Sequence, residues 1–272
     1  MTEVRPLPTF YIPHGGGPCF FMDWTHASPN PWDPLAAFLR GLAATVQPVP
    51  KAVLVVSGHW EEEPVAVNVQ ERPPLLFDYY GFPPHTYQLR YPAPGVPAVA
   101  RGIVELLQRA GIPARAETRR GLDHGVFVPF LLVYPQADMP IIQVSLRSGL
   151  DAAQNLALGA ALAPLRHAGV LIVGSGMSFH NLHIRSLENT PIAESEAFDA
   201  WLGEAVGMVD PEARSRALIA WRSAPAARFA HPREEHLLPL MVAAGAAGAD
   251  PGRRVFNAVM LGWRISGFRF GT

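Results

Sequence analysis

The chain has 272 residues, 49% of them hydrophobic and 17% charged, which is typical of a globular protein with a large core and argues against disorder. Lys plus Arg number 22, Asp plus Glu number 23, and no basic block stands out, so we expect no nucleic-acid partner. The single cysteine, Cys19, excludes an internal disulfide and a cysteine-based zinc site, so any metal must be held by His, Asp or Glu.

Short apolar runs of β type alternate along the chain with stretches of helical spacing. In chain order we predict a strand at 9–12, a helix at 34–45, a strand at 52–56, a helix at 96–110, a strand at 141–146, a helix at 152–166, a strand at 170–173, helices at 194–208 and 234–244, and strands at 254–261 and 263–270. This alternation predicts an α/β fold in which helices are layered around a central mixed β-sheet.

No stretch of the chain has the composition of a flexible linker, so we expect one domain over residues 1–272. Residues 1–6 lack the charged start and apolar region of a signal peptide, and no window approaches the roughly 18 apolar residues of a membrane span. We therefore expect a cytoplasmic protein without a membrane partner, either a monomer or a homo-oligomer.

Histidines stand where predicted strands end. His14 follows the first strand and His59 follows the second, and sites of open α/β sheets collect at such carboxyl ends. His180 follows the strand at 170–173 through a glycine-containing segment, and His124 lies in a loop ahead of an apolar run. Imidazole binds first-row metals and moves protons near pH 7, so these positions indicate a possible metal enzyme.

Two further histidines lie in the segment His231-Pro232-Arg233-Glu234-Glu235-His236. Pro232 fits the first turn of the helix predicted there, with His231 near its N-cap. His236 would then project from the first or second turn, and Glu235 from a neighbouring face.

Five segments, in this order, resemble a known family. They are Pro13-His14-Gly15-Gly16-Gly17-Pro18, Val55-Val56-Ser57-Gly58-His59-Trp60-Glu61, Gly121-Leu122-Asp123-His124-Gly125-Val126-Phe127-Val128-Pro129, Gly174-Ser175-Gly176-Met177-Ser178-Phe179-His180-Asn181-Leu182 and residues 231–240. Together they are similar to the DOPA-dioxygenase type of class III extradiol ring-cleavage dioxygenases, which are related to the protocatechuate 4,5-dioxygenase β subunit. The resemblance runs from residue 7 to about residue 247.

The resemblance implies a catalytic domain that opens a catechol-type ring, DOPA-like or other, with both atoms of O₂. The product would be of the muconic semialdehyde type, in the catabolism of aromatic compounds. His180 would be the acid/base residue beside the substrate, and His124 a second active-site histidine that hydrogen-bonds substrate or oxygen.

The same resemblance implies a mononuclear metal site with His14, His59 and His236 as ligands. Some related enzymes use a glutamate as the third ligand, so Glu235 remains an alternative to His236. The working metal would be Fe(II). Three imidazoles also suit Zn²⁺, which binds more tightly than Fe²⁺, so purified protein could carry zinc.

The segment Asp78-Tyr79-Tyr80-Gly81-Phe82-Pro83 resembles a loop of the family. His85 or Tyr87 after it could approach the substrate, and Arg90 could pair with a substrate carboxylate.

Two other functions fit the same histidines. A zinc hydrolase would use them to activate water and needs a carboxylate base, for which Glu61 or Glu235 is available. A non-catalytic binding protein is the second, because the Memo protein, a relative of similar fold, is thought of chiefly as an interaction partner. The presence of both His124 and His180 beside three candidate ligands favours an enzyme.

Overall fold

The structure is a computed structural model, and it describes residues 5–25, 30–184, 186 and 190–272. The strands are β1 (Thr9–Pro13), β2 (Ala52–Glu62), β3 (Val65–Asn68), β4 (Ala114–Glu117), β5 (Ile141–Arg147), β6 (Val170–Gly176), β7 (Gly252–Met260) and β8 (Trp263–Phe270). The α-helices are α1 (Asp33–Leu42), α2 (Pro97–Arg109), α3 (His124–Val133), α4 (Ala152–Leu162), α5 (Ala193–Gly207), α6 (Pro211–Ile219), α7 (Ala227–Ala230) and α8 (Leu238–Ala247).

All eight strands form one mixed sheet in the order β4-β3-β5-β2-β6-β1-β8-β7. The four central strands, β5, β2, β6 and β1, run parallel to one another. Antiparallel pairs flank them, β3 against β5 on one side and β8 against β1 on the other. The carboxyl ends of the parallel strands therefore meet at one edge of the sheet, as the predicted α/β fold with a mixed sheet requires.

The central strands are buried along their apolar runs, because helices cover both faces of the sheet. On one face, α8 packs against β1, β6 and α4, and all ten of its residues are buried. Gly159 and Gly245 make this packing possible: a Cβ at Gly159 would lie 2.1 Å from the carbonyl oxygen of Val242, and one at Gly245 would lie 2.0 Å from that of Leu156.

All the predicted strands and helices are present, with ends shifted by a few residues. The short strands β3 and β4 and the helices α3, α6 and α7 were not predicted. The helix α3 is apolar on every side and contains Pro129, so its sequence shows no helical period.

The expected start of the last helix is wrong. The helix α8 begins at Leu238, so Pro232, Glu235 and His236 lie in the turns before it rather than in its first turns.

Among the residues that the structure describes, no helix is long and apolar enough to cross a membrane.

Candidate active site

Three histidines converge at the carboxyl ends of the central strands. The Nε2 atom of His59 lies 3.2 Å from Nε2 of His14 and 3.2 Å from Nε2 of His236. His14 directly follows β1, His59 lies in the last part of β2, and His236 lies just before α8. The structure thus brings together the three residues that the family resemblance implies as ligands.

The backbone of His236 is fixed from two sides. Its carbonyl oxygen accepts a hydrogen bond from the hydroxyl of Tyr11 at 2.8 Å. A Cβ at Gly176 would lie 2.0 Å from that same oxygen, and a Cβ at Gly58 would lie 2.9 Å from the carbonyl oxygen of Glu235. Glycine at the end of β6 and within β2 therefore lets the segment before α8 approach the strand ends.

The Nδ1 atoms of two of these histidines face hydrogen-bond acceptors. Nδ1 of His14 lies 3.1 Å from Oγ of Ser175, whose own hydroxyl donates to the carbonyl oxygen of Gly125. Nδ1 of His236 lies 2.9 Å from Oε1 of Glu235, and a carboxylate can only accept. Both rings therefore carry hydrogen on Nδ1, and their Nε2 lone pairs point at the common centre.

The three rings are neutral at pH 7. Burial, followed by the charges of the neighbouring histidines, lowers the pKa of His14 and of His236 well below the ordinary value. Burial and then the charge of His124 lower the pKa of His59 to about 3. Because the rings are neutral, no shared proton links the three Nε2 atoms. Neutral imidazole is the form of histidine that binds a metal ion.

The donor set fits a divalent first-row metal. Imidazole nitrogen binds such ions at about 2.0–2.1 Å, so two nitrogens 3.2 Å apart can both reach one ion. Two separate groups of three side chains each have their potential ligand atoms within 4.8 Å of one another. They are His14, His59 and His124, and His180, Glu235 and His236.

His124 is the first residue of α3 and stands beside His59, with ring centroids 4.0 Å apart. Its Nδ1 and its backbone N–H both bond Oδ1 of Asp78, at 2.7 and 2.9 Å. Burial alone would raise the pKa of Asp78, but the bonds from His124 and the charge of His59 hold it below the ordinary value. The carboxylate is therefore ionised at pH 7.

His180 stacks on His236, with ring centroids 3.4 Å apart and an angle of 18° between the planes. Its backbone N–H donates to the carbonyl oxygen of Ala230, at the end of α7. Nδ1 of His180 lies 3.3 Å from Oε1 of Glu235, the oxygen that also faces Nδ1 of His236. Glu235 therefore lies behind the two rings, on the side away from the three Nε2 atoms.

The five histidines line one cavity of about 600 Å³. Its other large lining side chains are Met22, Trp24, Trp32, Tyr79, Tyr80, Phe82, Met177, Leu182, Leu261 and Trp263. Such walls suit a flat aromatic ligand with polar groups at one end.

Three residues suggested by the sequence do not line this cavity. Arg90 lines a separate cavity of about 850 Å³, so it cannot pair with a carboxylate bound at the histidines. His85 bonds the carbonyl oxygen of Phe21 at 2.9 Å. The hydroxyl of Tyr87 lies 3.4 Å from the carbonyl oxygen of Tyr79 and packs behind the cavity wall.

Sequence reasoning gave no role to three polar residues at the site: Asp78, Asp123 and Ser175. The buried carboxylate of Asp123 accepts from the hydroxyl of Ser57 at 2.8 Å, behind His59. Asp123 and Ser175 lie inside the quoted motifs, so proximity to candidate histidines was a usable signal. Asp78 begins the segment that resembles a loop of the family, but no spacing pattern links it to His59 or His124.

Comparison with known proteins gives a consistent result. The family described as the catalytic LigB subunit of aromatic ring-opening dioxygenase matches residues 8–266. A protein of Beta vulgaris named 4,5-DOPA dioxygenase extradiol is 39% identical over 252 residues, covering 92% of this chain and 90% of that protein. A protein of the same name from Portulaca grandiflora is 37% identical, covering 90% of this chain and 88% of that protein. Another of that name, from Escherichia coli (strain K12), is 32% identical, covering 92% of this chain and 89% of that protein.

A solved structure shares the fold over the whole chain. The crystal structure of an uncharacterized protein from Escherichia coli K12 superposes with a TM-score of 0.78 at 28% sequence identity. The match covers 98% of this chain and 100% of the other.

Proposed function

Because the chain belongs to the family of the catalytic LigB subunit of aromatic ring-opening dioxygenases, and is thus an extradiol dioxygenase, we propose that it cleaves catechol-type rings at a metal held by His14, His59 and His236. The observation that carries the proposal is the convergence of the three Nε2 atoms. That of His59 lies 3.2 Å from that of His14 and 3.2 Å from that of His236. The proposed catalytic unit is the whole chain, the partners are a catechol and O₂, and the product is a muconic semialdehyde-type acid.

Fe(II) is the proposed working metal. When bound, it would supply the redox chemistry toward O₂ and open positions for the two catechol oxygens, since three protein ligands leave about three positions free. Zn²⁺ would bind the same nitrogens more tightly and be redox-inert.

We assign the third ligand to His236 rather than Glu235. The Oε1 atom of Glu235 lies 2.9 Å from Nδ1 of His236, the nitrogen opposite the one that faces His59. A carboxylate at Nδ1 orients a ligand histidine and makes its other nitrogen a better donor. Glu235 thus supports His236 in our assignment.

His180 is the proposed base for the catechol. A catechol loses protons as it binds, and a positioned histidine accepts them efficiently near neutral pH. Nδ1 of His180 lies 3.3 Å from the Glu235 carboxylate, which leaves Nε2 as the nitrogen that takes the proton. The stacking of His180 on His236 holds this nitrogen beside the metal ligands.

His124 would hydrogen-bond the substrate or oxygen through Nε2, because Asp78 occupies its Nδ1. The aromatic walls of the cavity, with Trp24, Trp32 and Trp263 among them, would bind the ring by apolar contact and keep water out.

The rival hydrolase lacks support from its two candidate bases. Both oxygens of Glu61 are bound by the guanidinium of Arg233, at 2.6 Å each. Glu235 faces the Nδ1 atoms of His180 and His236. Neither carboxylate is directed at the three Nε2 atoms, so the geometry favours ring opening over water activation.

The proposed function is tested by anaerobic reconstitution with Fe(II). Oxygen uptake and formation of a yellow ring-opened product are then measured with catechol, protocatechuate, gallate and DOPA. We expect stoichiometric uptake of O₂ with at least one of them. The zinc-loaded protein and a His59→Ala variant treated with Fe(II) serve as controls, and both should be inactive. Absence of turnover with every catechol would contradict the proposal.

A further inference from the structure

The carboxylate of Asp78 joins two histidines of the site that have different proposed roles. Oδ1 accepts from Nδ1 of His124 at 2.7 Å, and Oδ2 lies 3.7 Å from Nδ1 of His59. The Asp78 side chain is only 19% exposed. One carboxylate thus faces both a proposed metal ligand and a proposed substrate contact.

The backbone adds a second anchor. His124 is the first residue of α3, and N–H groups in the first turn of a helix have no partner within the helix. The N–H of His124 donates to Oδ1 of Asp78 at 2.9 Å, the same oxygen that its ring faces. The end of α3 and the His124 ring are therefore held by one atom.

This arrangement dictates where the ring protons lie. An ionised carboxylate can only accept hydrogen bonds, so Nδ1 of His124, which bonds Asp78 at 2.7 Å, carries hydrogen. The negative charge 3.7 Å from Nδ1 of His59 favours hydrogen on that nitrogen as well. In a neutral imidazole the lone pair is then on Nε2. For His59 that is the atom 3.2 Å from His14 and from His236. For His124, no hydrogen bond to the described part of the chain uses Nε2.

We propose that Asp78 is a positioning residue that holds His59 and His124 in the tautomer protonated on Nδ1, which keeps one Nε2 open to the metal and the other open to the substrate. This inference rests on the proposed function for the roles of the two histidines. Asp78 does not touch the reacting atoms and acts only through the two rings.

Asparagine at position 78 separates this role from simple packing. It has nearly the same shape, but its amide group donates hydrogen bonds as well as accepting them. With its oxygen kept on the N–H of His124, its NH₂ group would face Nδ1 of His59. That favours a proton on Nε2 of His59, where the metal must bind.

The tautomers are read on the metal-free full chain, because zinc bound at Nε2 of His59 would by itself place the hydrogen on Nδ1. Proton–nitrogen correlation spectra of protein labelled with ¹⁵N-histidine report the tautomer of each ring, and His59→Gln and His124→Gln assign the signals. Zinc affinity is measured by competition with a chelator, and kcat and KM are measured on the Fe(II) form. The variants are Asp78→Asn, Asp78→Glu and, as a matched control, Asp138→Asn, which removes an exposed carboxylate between α3 and β5.

We expect the wild type to show His59 and His124 protonated on Nδ1. Asp78→Asn should lose this pattern, bind zinc about 10- to 100-fold more weakly and lose about 100-fold in kcat with a smaller change in KM. Asp78→Glu should recover part of each, and Asp138→Asn should match the wild type.

Two results would overturn the proposal. One is a wild-type spectrum with His124 protonated on Nε2, which needs no variant to fold. The other is a folded Asp78→Asn protein that keeps both tautomers and its zinc affinity. Because these readouts require no turnover, an inactive wild type would count against the proposed function and leave the role of Asp78 to be judged on the spectra.

Discussion

At the scale of single residues, the site is organised by which nitrogen of each histidine faces inward. Acceptors hold Nδ1 of His14 and His236, and the Nε2 atoms converge. His180 shares the Glu235 carboxylate with His236 but stands beside the cluster of three. This difference predicts that replacing a ligand and replacing the base have separable effects.

His180→Ala should keep its metal and lose turnover by at least about 100-fold, because it removes a proton acceptor and no ligand. His14→Ala should lose the metal itself. Metal content by elemental analysis and kcat on reconstituted protein are the measurements. If His180→Ala came out without metal, the assigned division of roles would be wrong.

A second pair of variants distinguishes the two candidates for the third ligand. Glu235→Gln should weaken zinc binding by about 10- to 100-fold, the usual effect of removing the outer partner of a ligand histidine. His236→Ala should weaken it far more, since a coordinating nitrogen is lost. Chelator competition gives both affinities, and equal losses would indicate that Glu235 is a ligand.

The sequence predicted the five histidines, and the structure gathers them in one cavity. It did not predict their partners. Asp78 and His124 meet only through the tertiary fold, and the contact of Glu235 with Nδ1 of His236 was not predicted, because their segment was taken as the start of a helix. Hydrogen-bond partners depend on side-chain direction, which a pattern of residue types does not contain.

At the scale of elements, the site depends on how closely α8 packs on its neighbours. His236 lies just before α8, and this helix crosses α4 where Gly245 faces the carbonyl oxygen of Leu156. A Cβ at position 245 would lie 2.0 Å from that backbone oxygen. The helices must therefore separate to accommodate any side chain there.

Gly245→Ala should destabilise the protein by about 1–3 kcal/mol, the usual cost of overpacking. The matched control is Gly102→Ala in α2, where an added Cβ meets no described atom within 4 Å. The control should be stabilised by about 0.5–1 kcal/mol, because alanine favours a helix. Chemical denaturation measures both, and equal stabilities would contradict the close contact.

The long elements and the α/β class could be predicted well from residue patterns alone. Buried parallel strands such as β2 and β6 read as continuous apolar runs. The shorter β3 and β4, with four residues each, have too few positions to show a period. The family assignment from the five motifs is confirmed, because the family matches residues 8–266 and a relative named 4,5-DOPA dioxygenase extradiol is 39% identical over 252 residues.

At the scale of the whole molecule, buried neutral histidines make stability depend on pH. His231 is fully buried, and its Nε2 donates to the carbonyl oxygen of Ser178 at 3.1 Å. Burial lowers its pKa to about 3. The unfolded chain has a value near 6.5, so between these limits only the unfolded state gains the proton, and stability falls as the pH is lowered.

From pH 7 to pH 5 we expect His231 alone to cost about 2 kcal/mol of the free energy of unfolding. His231→Gln, which retains a donor for Ser178, should show a pH dependence weaker by that amount. His167→Gln replaces an exposed histidine and should follow the wild type. Denaturation curves at several pH values check this, and parallel profiles for all three proteins would refute it.

Metal removal should also lower global stability, since only the folded chain gathers the three nitrogens. With zinc at 100 times its dissociation constant, the free energy of unfolding should rise by about 2.7 kcal/mol. A chelator should reverse the gain, and His59→Ala should not show it. A gain of the same size in His59→Ala would place the stabilising zinc elsewhere.

The proposed ligands stand near opposite ends of the chain, His14 directly after β1 and His236 just before α8. A ribosome delivers the first of them early and the last only when most of the polypeptide has been made. A nascent chain that has folded its first half holds His14 and His59 but not the complete site. At the proposed site, metal acquisition would therefore be a late event in biosynthesis, and truncated translation products would compete poorly for metal.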